Sequence, residues 1–236
     1  MNSIKAKLTP NAVGIVLSGS QSDILSLYDS ISEGIPIDLI EDEDEKIGFL
    51  LALCYDLRKA ALGSREEILE INPIDPKKSD ACDVSHSYGV KVVLPILIAQ
   101  LNILEGLKED FEGEVDSYLL VKNFIEVVLD AIKEQSEDVY DYVENWIESN
   151  EFGPEYLFNV LVHTTAVEYI EHKPEKTRLD MLPKVLADFD ELSDRYREGK
   201  HEALAFSKQN NISVYDVASK NTDEIFEKLE NDEIKW

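Results

Sequence analysis

The chain has 236 residues, enough for one large domain or two small ones, and its hydrophobic content of 44% is ordinary for a protein that buries a core. Lys and Arg number 23 against 49 Asp and Glu, a formal net charge of −26. That balance excludes non-specific nucleic-acid binding, which depends on neutralising phosphates with cations, opposes contact with an anionic membrane surface, and favours basic partners.

Residues 12–17 (AVGIVL) form the first predicted strand, apolar, partly β-branched and ended by Ser18-Gly19-Ser20. Ser20 or Ser22 caps a helix over 23–32 with Ile24, Leu27, Tyr28 and Ile31 on one face, and Gly34 and Pro36 stop it. Residues 37–40 (IDLI) read as a second short strand. The acidic run 41–45 leads into a helix over 46–62, where anions suit the start of the helix dipole and Gly63 marks the end. Ser64 and Glu67 have capping-box spacing and predict a short helix to Glu70. Residues 72–87, with Pro73, Pro76 and two lysines, read as a long loop. A strand over 90–94 follows, and Pro95 opens an almost wholly apolar helix through 104, the expected centre of the core.

From about residue 116 the periodicity is helical, with segments at 116–134, 137–149, 154–171, 180–192, 194–209 and 222–231. Gly153-Pro154 and Pro174 are the clearest breaks. The predicted fold is therefore α+β, predominantly helical, with a small N-terminal sheet packed on a helical bundle. It is read as one domain over 1–236, with a possible subdivision into an α+β part (1–112) and an all-helical part (113–236).

The N-terminus lacks the uninterrupted apolar stretch of a signal peptide, and the most apolar run, 90–104, is too short and too polar to span a bilayer. Cys54 and Cys82 are the only cysteines and read as free thiols. A cytoplasmic location is the expectation.

The charge is concentrated. Residues 105–155 hold sixteen acids and three lysines, half the net charge in about a fifth of the chain. Within them Glu126, Asp130, Glu134, Glu137, Asp141, Glu144 and Glu148 follow steps of three or four, which return to one helical face. Phe124, Val128, Ala131, Val139, Tyr142 and Trp146 follow the same rhythm about 200° away. The pattern predicts one amphipathic helix, or two coaxial ones, with a carboxylate ridge outside. Such a ridge is either a solvated face or a docking surface. Like charges one turn apart cost about 0.2–0.5 kcal/mol per pair, which a neutral face would avoid.

Catalytic signatures are absent: there is no GxSxG, P-loop, GxGxxG or HExxH. Cys82 and His86, placed in the predicted loop, could supply a thiolate and an imidazole, although an ordinary polar loop explains them as well. Glu168 and His172, one turn apart, could share a metal or be a surface pair. Trp146 and Tyr196 read as amphipathic core or interface residues. In CYDLRKAALGSREE (54–67), taking Cys54 as the centre of its face places Ile47, Leu50, Leu57 and Ala61 around it and sends Asp56 and Lys59 to water. Arg58 then falls about 40° from the apolar centre, predicting an Arg–carboxylate pair at the core edge or an anion site.

Several short motifs resemble an uncharacterised bacterial family, a domain of unknown function. They are Thr9-Pro10-Asn11 with Ser18-Gly19 and Leu27-Tyr28; Cys54-Tyr55-Asp56 with Arg58, Ala60, Gly63, Arg65 and Glu66; Leu94-Pro95-Ile96-Leu97; and Arg178-Leu179 with Met181-Leu182-Pro183. The resemblance implies one coherent domain of bacterial type and no activity. Lys59 stands where the family pattern has a histidine, and were that histidine chemical in the family, its absence here would argue against catalysis.

The leading expectation is a non-enzymatic binding protein, immunity- or inhibitor-like, that neutralises a basic toxin or nuclease through the carboxylate ridge. The alternatives are a mimic of DNA that inhibits a DNA-binding enzyme, an enzyme using Cys82, His86 and Arg58, and a structural subunit. No cofactor, metal, direct nucleic-acid contact or membrane contact is expected.

Overall fold

A computed structural model describes residues 4–41, 45–73, 82–111, 115–149, 155–190, 192–214, 234 and 236. The chain opens with β1 (Lys5–Leu8) and β2 (Gly14–Gly19) and continues through α1 (Gln21–Glu33), α2 (Ile37–Glu41) and α3 (Glu45–Ala61). Then come β3 (Glu66–Pro73), β4 (Cys82–Val93), α4 (Leu94–Gly106), α5 (Val115–Lys133), α6 (Glu137–Ser149) and α7 (Glu155–Glu171). A 3-10 turn (Glu175–Thr177) leads into α8 (Arg178–Ala187) and α9 (Asp194–Asn210). The fold is α+β and mostly helical, with one small antiparallel sheet near the N-terminus. The predicted helix at 222–231 lies outside the described residues.

The sheet has the order β1-β2-β4-β3, antiparallel throughout. Register pairs Ile15 with Val92 and Leu17 with Val90, so these four share a face. They are buried there against helices α1, α3 and α4. β4 is long, and only its second half, Tyr88 to Val93, pairs with β2; Cys82 to Ser87 pair with β3 alone.

Three expectations fail here, two of them for a long-range reason. Residues 37–40 are helical rather than extended. The capping-box spacing at Ser64 and Glu67 starts no helix, because Glu66–Pro73 is recruited as an edge strand along β4. Cross-strand partners override a local capping signal worth about 1 kcal/mol. For the same reason the described residues of the predicted loop over 72–87, namely 72, 73 and 82–87, are all strand, and 74–81 lie outside the described residues. β1 was not predicted at all.

Elsewhere local chemistry sets the elements. Ser20 caps α1, accepting from the Asp23 amide while Asp23 reaches back to the Ser20 amide. At Gly34 the reason for glycine is space, since an added Cβ would sit 1.9 Å from Phe111 Cζ. Gly63 ends α3 with φ +71°, a conformation glycine adopts without a Cβ penalty.

α4 is the hub of the core. It touches α3, α6, α7, α8, β2 and β4, and Leu94, Leu97, Ile98, Leu101 and Leu104 are all buried. Buried side chains from Ile4 to Ala203 belong to a single cluster that includes residues on both sides of 112. Asn102 on α4 donates to the carbonyls of Trp146 (2.8 Å) and Ile147 (3.1 Å) and so ties the last turn of α6 to the hub.

Candidate functional site

The acidic ridge divides into two unequal parts. α5 and α6 are separate helices joined at 134–136, and they pack on each other rather than running coaxially. They also rest on different neighbours, α5 on α1 and β1, α6 on α4 and α8. Glu126, Asp130, Glu134, Glu137, Asp141 and Glu148 are exposed. Glu144 is half-buried and accepts a hydrogen bond from the Tyr140 hydroxyl. That bond and partial desolvation push the Tyr140 hydroxyl up to about 12.

Cations separate the two parts further. On α5, exposed Lys122 and Lys133 flank Glu126 and Asp130 one turn away. On α6 there are five acids, Glu137, Asp138, Asp141, Glu144 and Glu148, and no Lys or Arg. Lys133 turns toward α6 only as far as the Tyr140 ring, 4.4 Å from its centroid. The uncompensated charge therefore sits on α6, and exposed Asp138 adds to a face that the spacing argument had left without it. The buried side of α6 is Val139, Val143 and Ile147. Tyr142, expected in the core, is exposed, and Trp146 is half-buried with its ring 5.8 Å from that of Phe189.

Arg58 departs from its expected place. It is exposed in the last turn of α3, with its guanidinium carbon 5.8 Å from the Tyr55 ring centroid. No carboxylate pairs with it among the described residues. The reason is a phase error. The buried residues of α3, Ile47, Phe49, Leu50, Leu53, Cys54, Leu57, Ala60 and Ala61, centre near Leu57 rather than Cys54. That shifts the apolar centre by about 60° and leaves Arg58 outside it. Cys54 itself is buried, and desolvation raises its thiol from 9.0 to about 11. Asp56 is held by Arg65.

Cys82 and His86 lie on the same strand, β4, four residues apart. Their Cα atoms are then about 13 Å apart, well beyond hydrogen-bond reach between nucleophile and base. His86 is exposed, 3.5 Å from Glu67 and edge-on to Tyr88. Glu168 is engaged by both terminal nitrogens of Arg195, while His172 Nε2 is 3.1 Å from Thr177 Oγ1. Tyr196 is buried in the first turn of α9. Among the described residues no group of three His, Cys, Asp or Glu could hold a metal ion, and no helix is long and apolar enough to cross a membrane.

Among the described residues the buried cation is Arg178, only 4% exposed, at the start of α8. Nε donates to Tyr169 O (3.0 Å), Nη2 to Ile170 O (2.9 Å) and His172 O (3.3 Å), and Nη1 to Asn11 O. Tyr169 donates its hydroxyl to Ala12 O at 2.8 Å, and burial pushes that hydroxyl upward. The cluster joins the C-terminal end of α7, whose carbonyls suit a cation, to the turn before β2. The signal was present in the sequence: Arg178, Leu182, Val185 and Leu186 share a helical face whose other members are apolar.

What these arrangements define is an acidic, predominantly helical α+β protein whose described residues include a helix, α6, with five acids and no cation. The chain belongs to the family described as domain of unknown function DUF6904, whose model matches residues 4–236. No curated protein and no solved structure matches it.

Proposed function

We propose that this is a non-enzymatic binding protein, immunity- or inhibitor-like, that engages a basic protein through the exposed face of α6. The observation that carries this reading is the charge of that helix, five acids without a cation, beside a helix whose acids are interleaved with lysines. Glu137, Asp138, Asp141 and Glu148 stand free to receive Lys or Arg, and Glu144 is half-occupied by Tyr140. Such a face raises the encounter rate with a positively charged surface and disfavours acidic competitors. Asn102 holds the helix on the core, so the charges are presented on a fixed scaffold.

The test uses two variants of equal charge change, Glu137→Lys/Asp141→Lys on α6 and Glu126→Lys/Asp130→Lys on α5. Each is compared with the native chain for capture of basic proteins at low salt, followed by purification of the captured partner. The reading predicts that the α6 variant loses the partner and the α5 variant keeps it. Equal loss from both would reduce the effect to net charge and overturn the reading. If duplex DNA competes for the captured partner, the mode is imitation of a phosphate backbone.

A further inference from the structure

We propose that the outer face of the sheet is a docking surface for an acidic segment bearing an aromatic residue, and that this chain fills it with its own residues 215–233, pinned there by Trp236. Helices pack on the opposite face, that of Ile15, Leu17, Val90 and Val92. Side chains alternate along a strand, so the outer face carries the residues between these. The register sets Lys7, Val16 and Lys91 in one row across β1, β2 and β4. The next row on this face holds Lys5, Ser18 and Gly89, with Glu66 of β3 beyond Gly89. Among the described side chains of these rows there are thus three lysines and one glutamate, Glu66, which lies 3.1 Å from Lys91. In a chain of net charge −26 a net positive face is an exception that calls for an anionic occupant.

Trp236 is already seated at one end of this face. Gly14 and Val93 form the row beyond Val16 and Lys91, and both are buried. The indole lies against Gly14: a Cβ added there would be 2.8 Å from Trp236 Cζ3, as well as 2.2 Å from Val92 O. Lys91 Nζ is 5.9 Å from the Trp236 ring centroid, within the range of a cation–π attraction. Asn11 donates from Nδ2 to Trp236 O at 3.4 Å, and Asn11 O in turn accepts from Arg178. The seat is therefore a glycine floor, a cation and an amide donor, built beside the buried Arg178 clamp.

The chain that leads to Trp236 has the chemistry this face asks for. Residues 215–233 lie outside the described residues and connect Val214, just past the end of α9, to the segment of Ile234 and Trp236. They carry seven acids and two lysines. Ile225, Phe226 and Leu229 stand among these at helical spacing, apolar groups to set against Val16 between its two lysines. Charge complementarity gives such a segment its orientation on the sheet. Because Trp236 holds one end, the contact is intramolecular, and a weak attraction suffices at the resulting effective concentration. None of these residues belongs to α6, so this proposal and the proposed function can fail separately.

Zero-length carbodiimide coupling of the full chain, mapped by mass spectrometry, reads the contact directly. The expected result is amide links from Lys5, Lys7 or Lys91 to acids within 223–233, with a yield that falls at least about fivefold in Trp236→Ala. A mixture of isotope-labelled and unlabelled chains separates the two possible sources of the segment. Links within one isotope support the proposal, and links between isotopes would assign the face to a second copy and overturn it. Fluorescence of Trp236 in a Trp146→Phe background gives an independent reading. There Lys5→Glu/Lys7→Glu should make the indole at least about twofold more accessible to acrylamide, because repulsion then opposes the acidic segment. Circular dichroism checks that the variants remain folded, and the coupling of the native chain needs no substitution. Coupling of 223–233 only to lysines elsewhere, a yield unchanged by Trp236→Ala, or quenching unchanged by Lys5→Glu/Lys7→Glu would each overturn the proposal.

Discussion

Arg178 carries a buried positive charge with carbonyl oxygens for company rather than a carboxylate. Four of its N–H bonds go to main-chain acceptors on two segments, three at the end of α7 and one at Asn11. Removing the side chain would take the guanidinium donor from all four of those acceptors in a buried or half-buried site. Arg178→Met is expected to destabilise the protein by about 3–5 kcal/mol, read as a fall in the urea midpoint. Arg178→Lys should recover only part of this, because an ammonium has three donors on one atom and cannot span a fork of carbonyls. A loss under about 1 kcal/mol for Arg178→Met would contradict the clamp.

Cys54 gives a second test at this scale. Its thiol is raised from 9.0 to about 11 by burial, so the unfolded chain loses the proton first. The stability tied to this group is complete below pH 9 and declines as pH rises from about 9 to 11. Replacing Cys54 with Ala should flatten the stability profile in that window by up to about 2–3 kcal/mol relative to the native chain. Identical slopes for the two proteins would show that Cys54 ionises equally in both states.

At the scale of elements, the long amphipathic helices were legible because their signal is repeated every turn. α5, α6, α7 and α9 begin and end within a residue or so of their predicted limits, and the capped start of α1 was readable at Ser20. Ser20→Ala should cost about 1 kcal/mol, since it removes the hydroxyl that accepts from the Asp23 amide and leaves only the backbone half of the capping box. An unchanged urea midpoint would show that packing alone holds that end. The β-hairpin was not legible. Strand pairing between β3 and β4 depends on residues that the sequence separates by the segment 74–81, while the Ser64 and Glu67 spacing gave a local signal for a helix that never forms. Position within an element was harder still. Arg58 was misplaced by the choice of Cys54 as the centre of α3, when the buried arc centres near Leu57. The acids of the candidate site were visible in the sequence, but their division by Lys122 and Lys133 gained meaning only once α5 and α6 were separate helices with different neighbours.

For the whole molecule, a charge of −26 repels itself in the folded state, most of all where carboxylates crowd on α6. Monovalent salt at a few hundred millimolar shortens the screening length to a few ångström and should raise the urea midpoint of the monomer. The central claim is that α6, by its own charge pattern, selects a basic partner. Its most direct test is the association rate of the purified partner with the native chain, the α6 variant Glu137→Lys/Asp141→Lys and the α5 variant Glu126→Lys/Asp130→Lys, followed across ionic strength. The prediction is a steep fall of the rate with salt for the native chain and the α5 variant, and a slow, nearly salt-independent rate for the α6 variant. Equal rates and equal salt slopes for all three would contradict it.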